Sequence, residues 1–158
     1  MADPIADVFE AAERALTEWG FVCRRSSEAL GLPRSSSIQA MIEHVRREDS
    51  KRKDVSRKAM TAAGKQKKPL KLPPRLLDSK ILSTDEAVAG LPKWGKKIIK
   101  RAFLFGQPNR VACRQIGMRP GEYEQRRRSA VELVAECLAD RYSASSTARE
   151  VIARFAAP

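Results

Sequence analysis

One glycine, Gly117, lies between two stretches of helical periodicity, and no other residue constrains the fold of this chain as strongly. Cys113, four residues earlier, is small enough for a place where two helices cross closely. Gly117 provides a turn residue that tolerates a positive φ angle. Tyr123 then returns an apolar side chain to the core. Residues 109–128 therefore have the pattern of a helix-turn-helix, and the second helix continues as an apolar stripe to about Tyr142.

Two more helices are predicted in the N-terminal third of the chain. Over residues 5–23, apolar side chains recur at three- and four-residue spacings, so the first helix should begin at Pro4 and end near Arg24-Arg25. Gly20 is unusual inside this helix. It either allows a neighbouring backbone to approach closely or weakens the last turn. A turn-rich connection follows, and Ser36 or Ser37 can cap the second helix.

Two helices also precede the helix-turn-helix. Ser83 and Glu86 have the spacing of a capping box, which predicts a short helix over 84–90. Leu91-Pro92 should end it, and the next helix should run from about Lys93 to Phe105. The apolar stripe of that helix consists of Trp94, Ile98, Ala102 and Phe105, and Ile99, Phe103 and Leu104 add to it. Because every recognisable element is helical, we expect an all-α fold with five or six helices.

The net charge of +12, from 31 Lys and Arg against 19 Asp and Glu, is unevenly distributed. Residues 1–49 carry 6 basic and 9 acidic side chains, residues 50–82 carry 11 and 2, and residues 83–158 carry 14 and 8. We therefore expect a helical head over 1–49, a basic linker or long loop over 50–82, and a DNA-binding region over 83–158. The apolar face of the first helix could also cover the tail helices and give one domain. The basic segment is either a solvated connector or an arm that orders on phosphates.

The composition argues against several classes of function. One histidine and three widely spaced cysteines predict neither a metal site nor a disulfide framework. His44 should be a surface or packing residue. No glycine-rich phosphate loop and no nucleophile with its base is recognisable, so we expect neither an enzyme nor a cofactor. The absence of a long apolar run or a signal pattern predicts a cytoplasmic protein without a membrane partner.

The strongly basic composition favours nucleic acid as the partner, and the helix-turn-helix indicates how it would be bound. In this motif the second helix enters the major groove by its N-terminal half. The outward residues that could read bases there are Arg119, Glu122, Gln125, Arg126 and Ser129. The cations better placed for phosphates are Lys96, Lys97, Lys100, Arg110, Arg114, Arg127 and Arg128. The alternative is an ordinary pair of helices with a solvated basic face.

Several segments resemble known families. The long second helix, basic in its first half and amphipathic in its second, resembles the C-terminal helix-turn-helix of bacterial sigma factors. The head resembles the bacteriophage late-gene transcription antitermination protein Q family in Glu10, Leu16, Trp19-Gly20-Phe21-Val22, Arg24 and the stretch Leu30-Gly31-Leu32-Pro33-Arg34-Ser35-Ser36-Ser37. The tail is similar to that family in Leu91-Pro92, Arg110-x-Ala112, Gly117 and Tyr123-x-x-Arg126-Arg127-x-x-Ala130.

The resemblance implies a small helical head plus a sigma-region-4-like helix-turn-helix tail. It further implies an antitermination factor that binds double-stranded DNA at a phage late promoter. Such a factor joins host RNA polymerase in the bacterial cytoplasm and suppresses pausing and termination. Nascent RNA is a further partner, which the basic segment could contact. The alternatives are a DNA-binding repressor or activator without an elongation role, and a packaging adaptor like a terminase small subunit.

Overall fold

A computed structural model describes residues 4–34, 36–58 and 71–143 of this chain, with the side chains of residues 7–34, 36–51 and 71–141. Within these residues every regular element is helical, which confirms the all-α prediction. The elements are α1 (Pro4–Ala29), α2 (Ile38–Lys58), a 3-10 turn (Pro74–Leu77), α3 (Ser79–Gly90), α4 (Lys93–Ile99), a π-helical turn (Lys100–Leu104), α5 (Asn109–Ile116) and α6 (Pro120–Ser143).

α1 is longer than the sequence predicted. It continues past Arg24-Arg25 to Ala29, because Ser27 is buried and its hydroxyl donates to the Arg24 carbonyl, which keeps a polar residue inside the helix. Just past its end, Gly31 has a φ angle of +67°, and the Leu32 amide donates back to the Ser27 carbonyl. This is the glycine-terminated helix end expected of a left-handed residue.

The predicted start of α2 is confirmed at one of its two candidate caps. The Ser37 hydroxyl accepts the Ala40 amide at 3.2 Å, which satisfies one of the free amides in the first turn. α2 then contributes the buried side chains of Ile38, Met41 and Val45 to the core.

The predicted start of α3 was wrong. The helix begins at Ser79 and its N-cap is Asp78, whose carboxylate accepts the Lys80 amide at 2.9 Å. Ser83 and Glu86 therefore lie inside the helix rather than at its beginning. An aspartate is as good a cap as a serine, and the earlier start also buries Ile81.

The helix predicted over Lys93 to Phe105 is continuous, but its apolar stripe was wrong at the end. α4 passes directly into the π-helical turn, where the wider winding shifts the following side chains around the axis. Leu104 is consequently 2% exposed, whereas Phe105 is 39% exposed. Ala102 is only partly buried.

Most buried side chains belong to one hydrophobic core, to which α1, α2, α3, α4, α6 and both short turns contribute. Representative members are Leu16, Trp19, Met41, Leu76, Ile99, Leu104 and Val134. Residues from the predicted head and from the predicted tail thus pack together, whereas the domain division itself stays a prediction.

Of the segment 50–82, residues 51–58 continue α2, and residues 74–82 form the 3-10 turn and the start of α3. Residues 59–70 lie outside the described residues.

α1 crosses the π-helical turn at very short range. A Cβ built on Gly20 would lie 2.3 Å from the Phe103 carbonyl oxygen, so only glycine allows this approach. One turn later the Arg24 guanidinium donates to the Phe103 and Leu104 carbonyls, at 2.8 and 3.0 Å. Of the two explanations considered for Gly20, close backbone approach is the one that the structure supports.

A polar contact also joins α1 to α3. The Trp19 indole donates to Asp85 Oδ1 at 2.9 Å. Burial raises the pKa of the Asp85 carboxyl, while the Trp19 hydrogen bond and the charge of Lys100 oppose that rise. Burial also raises the pKa of the neighbouring Cys23 thiol to about 12, and the Asp85 charge adds to the increase.

Candidate nucleic-acid interface

The helix, turn and helix around Gly117 lie where the sequence pattern predicted them. α5 ends at Gly117, which adopts a left-handed conformation with a φ angle of +77°. The Met118 amide donates to the Cys113 carbonyl and the Gly117 amide to the Arg114 carbonyl. These two bonds form a Schellman motif, which ends α5 sharply and turns the chain into α6.

A small second core holds these helices against α4. Ile98, Ala112, Cys113 and Tyr123 are buried in it, and Trp94, Ile116 and Met118 pack around it. The predicted inward direction of Cys113 and Tyr123 is thus confirmed. The Tyr123 hydroxyl is buried without a hydrogen-bond partner among the described residues, and burial raises the pKa of this phenol.

The opposite face of α6 carries the side chains that were predicted to read bases. Glu122, Gln125 and Arg126 are exposed, Ser129 is partly exposed, and Arg119 is exposed just before the helix begins. Helical geometry puts Glu122, Gln125 and Ser129 opposite the buried side of α6. Glu132 and Glu136 lie farther along the same outward face and are also exposed.

Arg126 is held in place by two neighbours. Its guanidinium forms an ion pair with Glu122 at 3.1 Å, one turn earlier on α6. It also lies over the Trp94 ring of α4, with Cζ 5.9 Å from the ring centroid. The recognition-helix prediction identified Arg126 and Glu122, but the sequence assigned Trp94 only to an apolar stripe.

The cations predicted to contact phosphates lie in three different environments. Arg110 and Arg114 on α5 are exposed and form no ion pair with any residue that the structure describes. On α4, Lys97 is exposed and Lys96 partly exposed. Lys100 lies at the contact with α1 and α3, where burial raises the pKa of Cys23 and of Asp85 and the Lys100 charge partly opposes that rise.

Arg127 and Arg128 are engaged within the protein. The Arg127 side chain is 24% exposed and pairs with Glu13 of α1 at 2.8 Å and with Glu124 at 3.2 Å. Its guanidinium also lies over the Phe103 ring, 5.4 Å from the centroid. Arg128 is much more exposed, with Glu132 at 3.4 Å and the Phe9 ring at 5.8 Å. The structure therefore brings Arg127 to the contact between α1 and α6 rather than leaving it free.

Three hydrogen bonds that the sequence analysis missed fix the position of α5. The Asn109 amide donates to Glu124 at 2.6 Å, which links the start of α5 to α6. Arg101 of the π-helical turn donates to Gln107 at 3.2 Å and also to Gln115. None of these pairs has a recognisable sequence signal, because each depends on how the chain places α5 against its neighbours.

The described residues contain no cluster of His, Cys, Asp and Glu suited to a metal ion. None of their helices has the length and apolar character needed to cross a membrane. No protein-family model, no curated protein and no solved structure matches this chain.

Proposed function

We propose that this protein binds double-stranded DNA with sequence preference, and that the N-terminal half of α6 lies in the major groove. The main support for this proposal is that α6 is packed against the protein on one side and exposes polar side chains on the other. Cys113 and Tyr123 fix the helix from the inside, while Glu122, Gln125 and Arg126 point outward from the same turns. These outward side chains can pair with cytosine, adenine and guanine respectively.

The charge distribution supports the same orientation. Between residues 109 and 129 there are six arginines and two glutamates, which gives this segment a formal charge of +4. Farther along α6, the exposed Glu132 and Glu136 would repel phosphates. The electrostatics thus favour insertion of the first three turns of α6 and exclude its second half from the duplex.

The phosphate contacts are best supplied by cations that are free in the structure. Among the predicted residues, Arg110, Arg114 and Lys97 are exposed and form no ion pair with another residue that the structure describes. Arg127 would have to exchange Glu13 for a phosphate, so we assign it mainly to the packing of α1 on α6. Phosphate contacts position a protein on the duplex without reading its sequence.

Site-directed variants test this assignment on a preferred DNA site. Arg126→Ala should cost about 1–3 kcal/mol on the preferred site and relax the preference at one base pair. Arg114→Ala should weaken binding to all sequences alike and reduce the salt dependence by about one phosphate contact. Arg47→Ala is the matched control, because Arg47 is an exposed arginine of α2 whose one ion pair within the described part of the chain is with Glu43. Equal effects of Arg126→Ala and Arg47→Ala on every sequence would overturn the assignment.

We further propose that the bound protein acts as an antitermination factor on host RNA polymerase. This step is supported by the resemblance of head and tail segments to the phage antitermination family. Single-round transcription past an intrinsic terminator, with and without the protein, tests it. Increased readthrough that depends on the promoter-proximal DNA site supports antitermination. Altered initiation with unchanged readthrough would instead indicate a repressor or activator, and DNA binding without any transcriptional effect would favour a packaging adaptor.

A further inference from the structure

The Arg126 guanidinium is held on two sides by protein groups while its remaining donors stay accessible. Glu122 Oε1 pairs with Nη2 at 3.1 Å, and the guanidinium carbon lies over the Trp94 ring, 5.9 Å from its centroid. Trp94 itself cannot move freely, since its partly buried side chain packs against both hydrophobic cores. A ring anchored by α4 thus lies beside the guanidinium of a side chain on α6 and limits the orientations open to it.

This arrangement matters because a free arginine side chain occupies many rotamers. Ordering it on DNA costs conformational entropy, and a side chain already held in one orientation loses less on binding. Stacking on an aromatic face uses the π surface of the guanidinium and leaves its in-plane N–H donors available. Two such donors match the O6 and N7 acceptors of guanine in the major groove.

We propose that Trp94 is a positioning residue for base recognition, and that the base read by Arg126 is a guanine. The inference rests on the proposed DNA binding by α6. It predicts that the preferred site contains one G·C pair whose selection depends on Trp94, although Trp94 is not a member of the recognition helix. Loss of the ring should affect that base pair and leave the others unchanged.

The test compares affinities for the preferred site and for the same site with that G·C pair replaced by A·T. Trp94→Leu should reduce the preference for G·C by about three- to tenfold, the range expected for a cation–π contact. Trp94→Phe should reduce it less, because the smaller ring still stacks on the guanidinium. In an Arg126→Ala background, Trp94→Leu should cause no further loss of preference at this pair.

Controls separate positioning from general destabilisation and from failure of the proposed function. Ile116→Val trims the second core without touching Arg126, and it should leave the G·C preference intact. A Trp94→Leu effect that is equal on all sequences, or that persists in the Arg126→Ala background, would overturn the inference while DNA binding stands. A wild-type protein without any sequence preference would overturn the proposed function, and the inference with it.

A measurement on the free wild-type protein covers the case in which Trp94→Leu does not fold. The Arg126 Nε–H proton should show an upfield ring-current shift and slowed exchange with water in its NMR spectrum. A resonance at the position of a freely rotating arginine would overturn the inference, whatever the variants do.

Discussion

Replacing Gly20 by alanine tests the crossing of α1 over the π-helical turn, on which the shared core depends. The new Cβ would lie 2.3 Å from the Phe103 carbonyl oxygen and 2.7 Å from its carbon. Ordinary contacts of a Cβ begin at 3.4 Å, so α1 must retreat by roughly 1 Å. Both obstructing atoms belong to the backbone and cannot rotate away. The retreat also lengthens the two hydrogen bonds from Arg24 to the Phe103 and Leu104 carbonyls.

The size of the effect follows from three contributions. Alanine inside a helix is favoured over glycine by about 1 kcal/mol. Overpacking of a tight contact costs about 1–3 kcal/mol. Weakening two hydrogen bonds from a charged donor adds about 2 kcal/mol, since such bonds contribute about 1.5–3 kcal/mol each and are stretched rather than broken. Gly20→Ala should therefore lower the free energy of unfolding by about 2–4 kcal/mol.

Urea unfolding followed by circular dichroism measures this change. Gly121→Ala is the matched control, because Gly121 is also helical and a Cβ there meets nothing within 4 Å. That control should be stabilised by up to about 1 kcal/mol through helix propensity alone. If Gly20→Ala were as stable as the Gly121→Ala control, the close approach of α1 to Phe103 would be refuted.

Asp85 and Tyr123 each give a further prediction. Burial raises the pKa of Asp85 above 3.8, so its contribution to stability is largest below that pH and is lost as pH rises through the folded-state pKa. Asp85→Asn removes this titrating group but keeps an acceptor for the Trp19 indole. The free energy of unfolding of Asp85→Asn relative to wild type should therefore rise between about pH 3 and about pH 7 in urea titrations. A pH-independent difference would contradict this prediction. Tyr123→Phe removes a buried hydroxyl without a partner among the described residues, so thermal unfolding should show unchanged stability or a gain of up to about 1–2 kcal/mol. A loss above about 1 kcal/mol would show that the hydroxyl is hydrogen-bonded in solution.

The local elements of the fold were predictable because their signals lie within a few residues. Gly117 needs a left-handed conformation, and the small Cys113 and the apolar Tyr123 lie at fixed distances from it along the chain. The helical periodicity likewise identified the outward face of α6. A capping box was less informative at α3, because Asp78 provided an equally good cap one turn earlier.

The tertiary contacts were not predictable, because they depend on where helices cross. The sequence allowed two explanations for Gly20, a close backbone approach or a weakened last turn. The position of the Phe103 backbone supports the first. The sequence placed both Leu104 and Phe105 on the apolar side, but the π-helical turn buries Leu104 and exposes Phe105. A helical periodicity of 3.6 residues cannot predict that difference. The pairing of Arg127 with Glu13 joins residues 114 positions apart, so charge counting alone could not distinguish it from a free phosphate-binding cation.

The proposed entry of α6 into the major groove is best tested by the protection of guanine N7 from methylation. Sites would first be selected by wild-type protein from a random double-stranded library, and the bound DNA then methylated. We expect a preferred sequence with protected major-groove guanines, one of which loses its protection with Arg126→Ala. Binding that enriches no sequence, or that leaves every guanine N7 as reactive as in free DNA, would contradict it.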